Sequence, residues 1–134
     1  MITSEQRNLL ISIRIQQAEE CIADVELSLA NSRYRNAANR IYYGMFYALL
    51  ALGLFHEFET SKHQQIIGWF NKNFIHTGIF SKQFSQLVNR AFDTRTNADY
   101  KTSQLPEAAE LEAMFADMKT FISTIKAWLE ANPA

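Results

Sequence analysis

The chain has 134 residues, 48% hydrophobic and 20% charged, with a formal net charge of −1. That length suits one domain with a real core, and the near-neutral charge excludes the global basic field that draws proteins to nucleic acid or membrane surfaces. A single cysteine excludes an intramolecular disulfide and a cysteine metal cluster, while only 4 Gly and 2 Pro favour a helical chain.

The first residues, Met1–Arg14, lack the basic start and small-residue cleavage site of a signal peptide, so a cytoplasmic protein is expected. Thr3-Ser4-Glu5-Gln6 offers a capping box for a first helix. Leu10, Ile13, Ala18, Cys21, Ile22, Val25 and Leu29 then recur at helical spacing, which puts Cys21 on an apolar stripe as an inert thiol. Asn31-Ser32 breaks the pattern, and Ser32 is the expected N-cap of the next helix.

That next helix, Arg33 to Phe55, organises the chain. It is uncharged from Ile41 to Phe55, yet Arg35, Asn36, Asn39 and Arg40 lead into it. At 100° per residue, Ala37, Ile41, Met45, Ala48, Leu49 and Leu52 share one side. The opposite side carries Asn36, Arg40, Tyr43, Tyr47, Leu50 and Leu54. A helix apolar nearly all round is buried on more than one side. The uncharged run is also shorter than the ~20 residues that span a bilayer, so no membrane association is expected.

Ser61-x-x-Gln64 is a second capping-box match, opening a third helix with Ile66, Ile67, Phe70 and Phe74 inward. Gly78 suits its left-handed C-terminal residue. A fourth helix, about Ser81 to Ala98, has Phe80, Phe84, Leu87, Val88, Ala91 and Phe92 as its stripe. A polar connection, Lys101 to Gln104, precedes Pro106, which suits the first turn of a last helix. That helix carries Leu111, Met114, Phe115, Met118, Phe121, Ile122, Ile125, Trp128 and Leu129. No strand period or domain linker appears. The expectation is an all-α, up-and-down bundle of four to five antiparallel helices in one domain, residues 1–134.

Arg95 is the local anomaly, because whole turns place it in line with Phe84, Val88 and Ala91 on the apolar side. One reading has it snorkel at the helix end and cap the last carbonyls. The other aims its guanidinium into a cleft to hold phosphate. Asp99 can pair with Arg95 at i, i+4 or with an arginine of the central helix, and Tyr100 brings a phenol or a packed ring to the same end. Lys62-His63 opens the third helix, where backbone N–H groups favour anions, although a solvated turn is the simpler account of the pair. No histidine pair has metal spacing, and no phosphate loop or nucleophile elbow is present, so neither metal nor cofactor is expected.

Three motifs in order resemble the HEPN family (higher eukaryotes and prokaryotes nucleotide-binding). They are Arg35-Asn36-Ala37-Ala38-Asn39-Arg40-Ile41-Tyr42-Tyr43-Gly44-Met45-Phe46-Tyr47-Ala48, then Ser61-Lys62-His63, then Arg95-Thr96-Asn97-Ala98-Asp99-Tyr100. The resemblance covers Ala18 to Phe121 and implies a helical bundle that forms a homodimer. It also implies a minimal nucleotidyltransferase as partner in a toxin–antitoxin system. Active family members are metal-independent ribonucleases with an R-x4–6-H motif, in which the His moves protons and the Arg stabilises the phosphate. Arg95 matches the motif arginine; Tyr100 stands where the histidine is expected. The leading expectation is a dimeric module that binds nucleotide or RNA phosphate through Arg95, supported by Arg40, Asp99, Tyr100, Lys62 and His63. The alternatives are a ribonuclease in which Arg95 and Tyr100 are catalytic, and a non-catalytic dimeric scaffold. Within the ribonuclease alternative, His63 can also reach the cleft from another helix.

Overall fold

A computed structural model describes residues 2–100 and 105–132. Five α-helices follow in order: α1 Ser4–Ala30, α2 Tyr34–Phe55, α3 His63–Phe70, α4 Lys82–Tyr100 and α5 Ala108–Ala131. Among the described residues there is no strand, and the fold is the expected all-α bundle. A π-helical turn, Asn71–Ile75, continues α3. Among the described residues no helix is long and apolar enough to cross a membrane.

The helix ends show where local sequence rules held and where tertiary geometry overrode them. Thr3 caps α1 through a complete capping box, its hydroxyl accepting from the Gln6 amide while Gln6 accepts from the Thr3 amide. Ser32 does not cap α2. It adopts φ 56° as the left-handed residue that ends α1, with Arg33 N–H donating to the Ser28 carbonyl at 2.7 Å and Ser32 N–H to Leu29 at 3.2 Å. The two-residue turn leaves Arg33 as the N-cap of α2, without a side-chain cap.

The Ser61–Gln64 box is likewise not formed, because Lys62 is the N-cap of α3. Thr60 engages that end instead, accepting from the Lys62 amide at 3.1 Å and donating to Gln65 Oε1 at 2.6 Å. Gly78 takes the left-handed conformation expected of it, at φ 80°. Pro106 lies just outside α5 rather than in its first turn, since Glu107 is the N-cap. The expected polar connection Lys101–Gln104 falls outside the described residues.

α2 is the hub, packing against α1, α3, α4 and α5. Its Ala37, Ile41, Met45, Ala48, Leu49 and Leu52 are all buried, as their common side predicts. Ala38, Tyr42, Phe46, Ala51 and Leu54 are buried as well, so the helix is enclosed nearly all round. Gly44 lets α5 come close. A Cβ there would lie 2.2 Å from Met118 Cε and 3.2 Å from Cys21 Cβ. On α1 the buried set is Ile15, Ala18, Cys21, Val25 and Ser28, whereas Ile13 is exposed. The stripe expected through Ile13 does not face inward at that end, and Ile15, two residues on, takes the inward place.

Candidate functional site

The site is built where α2, α3 and α4 meet. Tyr42 and Phe46 lie one turn apart on α2, so they present a phenol and a ring to the same neighbour. That neighbour is His63, the first residue of α3. Tyr42 Oη is 2.6 Å from His63 Nδ1, and the imidazole stacks on Phe46 at 4.3 Å between ring centres. Tyr43 meets the imidazole edge-on at 5.7 Å. Three side chains of α2 therefore fix one half-buried histidine.

Arg95 approaches the same aromatic group from α4. Its guanidinium carbon lies 5.7 Å from the Tyr42 ring centre and 5.4 Å from that of Tyr43. Asp99 holds it from one turn further on, with Arg95 Nε 3.1 Å from Oδ2. Of the partners open to Asp99 in the sequence, the structure selects Arg95. Capping of the end of α4, one reading of Arg95, falls instead to Arg35, whose Nε donates to the Ala98 carbonyl at 2.8 Å.

Arg40 reaches Tyr43 as well, at 5.1 Å. Its Nε and Nη2 donate to Asn39 Oδ1 at 3.0 and 2.7 Å, and its Nη1 lies 3.8 Å from Cys21 Sγ. Two guanidiniums thus share one tyrosine ring. Among the described residues only Arg95 of the two has a carboxylate within ion-pair distance. Two guanidiniums gather at a partly desolvated place, where an anion is held more strongly than in open water.

Burial sets the protonation states. Desolvation lowers the proton affinity of His63, and the Arg95 charge lowers it further. The imidazole is therefore neutral at pH 7. Burial pushes the Tyr42 phenol well up, with Arg95 only partly opposing it, so Tyr42 keeps its proton. Cys21 is also driven up by burial, despite Arg40 nearby; it is the inert thiol its position suggested.

Of the residues expected to form the site, Arg95, Asp99, His63 and Arg40 come together around Tyr42 and Tyr43. Lys62 stands beside His63 as the exposed N-cap of α3. Tyr100 does not join them. It closes α4 at 77% exposure and packs on none of the site's rings, so it is not the packed ring that one reading allowed. A groove of about 540 Å³ adjoins, lined by Arg33, Tyr34, Arg35, Asn36, Asn39 and Asp99 among others. Asn39 and Asp99, which steady the two guanidiniums, form part of its wall.

A model of the HEPN domain matches residues 11–128. The chain belongs to the HEPN family. Its relatives include a UPF0332 protein of Thermotoga maritima, 37% identical over 95 residues, covering 71% of this chain and 72% of that one. Two proteins of Methanocaldococcus jannaschii, both named as candidate toxins, are similar too. One is 30% identical, covering 86% of this chain and 78% of the relative; the other is 28% identical, covering 87% and 86%.

The HEPN match spans all three motifs that suggested it, and the structure shows how two of them converge on His63. The sequence pattern missed Tyr42, the residue that holds the imidazole. On a helix apolar all round, no period distinguishes Tyr42 from Tyr43. The one available signal was the Tyr42–Phe46 spacing, which gives an aromatic pair on one face.

Proposed function

We propose that this HEPN chain is the toxin-type member of a two-protein system, a cytoplasmic homodimer that binds a nucleotide or RNA phosphate. Arg95 is the main phosphate contact and Asp99 orients it. Arg40 adds the second guanidinium, and Lys62 and His63 contribute donors from the start of α3. The observation that carries the reading is the meeting of Arg95 and Arg40 over Tyr43, with Asp99 paired to Arg95. The candidate-toxin names of two relatives support the toxin-type role. The partner is a minimal nucleotidyltransferase, as the family resemblance implies, and co-expression followed by co-purification tests it.

Binding of a single-stranded RNA oligonucleotide to wild type and Arg95→Ala tests the phosphate site. Loss of a charge-assisted contact weakens affinity by about 10- to 100-fold. Equal affinities would reduce the chain to a scaffold. Light scattering tests the homodimer, and a monomer mass at micromolar concentration would contradict it.

A second reading is RNA cleavage without a metal, and one observation favours it. His63, neutral at pH 7 and fixed by α2, lies within the field of Arg95, so a group able to move a proton stands beside a group able to hold phosphate.

A further inference from the structure

We infer that Tyr42 and His63 form a dyad that handles the proton during phosphodiester cleavage at the Arg95 centre, in place of a histidine following Arg95. The inference rests on the second reading above and names the residues that would carry it.

The geometry points to this pair among the chain's histidines. His56 belongs to another aromatic group, stacked on Trp128 and edge-on to Trp69 and Phe74. His76 ends the π-helical turn. Only His63 meets the tyrosines over which Arg95 lies.

Tyr42 is fully buried, and Nδ1 of His63 is the partner its hydroxyl meets among the described residues. A buried hydroxyl left without an acceptor is costly, so in the resting state Tyr42 donates to Nδ1 and the ring's proton sits on Nε2. Phe46 covers one face of the ring. The nitrogen turned to the substrate is therefore Nε2. The charged groups near the ring are Arg95 with Asp99 from α4 and Lys62 on α3; Arg40 lies beyond Tyr43 on α2.

A phosphodiester seated on Arg95 brings a negative charge to the imidazole and favours its protonated form. The 2′ oxygen of the RNA then forms a bond to phosphorus, and its proton passes to water. As the bond from phosphorus to the 5′ oxygen breaks, Nε2–H of the imidazolium gives its proton to that oxygen. The products are a 2′,3′-cyclic phosphate and a 5′-hydroxyl, and the ring, left with its proton on Nδ1, recovers one on Nε2 from solvent. Tyr42 is a positioning residue. By rotating its hydroxyl it donates to Nδ1 of the resting ring and accepts from Nδ1–H of the imidazolium and of the ring left after the transfer, holding the imidazole throughout.

The test uses the full chain, a single-stranded RNA oligonucleotide and EDTA. Wild type is expected to leave cyclic phosphate ends. His63→Gln is expected to lower kcat on the order of 10²-fold, far more than it weakens binding of uncleavable 2′-O-methyl RNA. Tyr42→Phe, with its helical content checked by circular dichroism, is expected to displace the alkaline limb of the kcat–pH profile. A Tyr42 that merely filled space would leave the limb in place, and that result would overturn its role. Wild-type cleavage that survives His63→Gln but is lost in Tyr100→Phe would overturn the dyad and leave the cleavage reading standing. Wild type that binds RNA and leaves it intact would overturn both.

Discussion

The two sides of α2 were built by different physics. Towards α1 and α5, Ala37, Ile41, Met45, Ala48 and Leu49 are fully or almost fully buried, and Gly44 lets Met118 and Cys21 approach. That side is dry and close-packed, and its stability comes from area removed from water. Towards α3 and α4 the same helix presents Tyr42, Tyr43 and Phe46 to a histidine and an arginine. Of the polar groups there, Tyr42 is fully buried while His63 and Arg95 are half-buried, and ring faces and single hydrogen bonds hold them. One helix thus supplies a rigid back and a chemically equipped front, so the front can be altered without unfolding the bundle.

The largest effects belong to the back. Leu49 of α2 is fully buried, and Leu49→Ala should cost about 2–5 kcal/mol in chemical denaturation. A cost below about 1 kcal/mol would mean that the back is looser than its burial suggests. Gly44→Ala should cost less, about 1–2 kcal/mol. Met118 can swing its terminal methyl aside but Cys21 Cβ cannot retreat, and the gain in helix propensity offsets part of the strain. An unchanged midpoint would show that α1 and α5 yield at that contact.

The front should respond by less in stability and more in pH dependence. Tyr42→Phe removes one hydrogen bond to a half-exposed imidazole that water can partly replace, a loss of about 1 kcal/mol. Burial and Arg95 hold the folded-state proton affinity of His63 below its ordinary value near 6.5. The unfolded chain therefore binds the proton more readily. The stability contributed by neutral His63 is complete above about pH 6.5 and is lost as pH falls from there towards the folded value. Thermal melts between pH 7 and 5 should show this decline, with a flatter profile in His63→Gln. Equal profiles would assign the decline to other groups.

The back was legible because its pattern is simple. Small and aliphatic residues at helical spacing from Ala37 to Leu52 admit one arrangement, and the a- and d-like run of α5 answers it. The front was legible only in its parts. Arg95 was visible as a charge in line with Val88 and Ala91, and Asp99 as its i+4 partner. That His63 would meet Tyr42 was not visible, because the contact crosses 21 residues and depends on how α3 is laid over α2. The failed caps at Ser32 and Ser61 share that cause. A two-residue turn required a left-handed residue at Ser32, and the start of α3 is displaced by one residue from its best local signal. Local preference gave way to the connection between helices.

The central claim is that Arg95 on α4 and His63 on α3 serve one phosphate. Nuclear magnetic resonance of the His63 imidazole nitrogens, during titration with 2′-O-methyl RNA, tests it most directly. The His63 signals should move as wild type binds, and Arg95→Ala should need about tenfold more RNA or more for the same movement. His63 signals that stay still while wild type binds the RNA would contradict it.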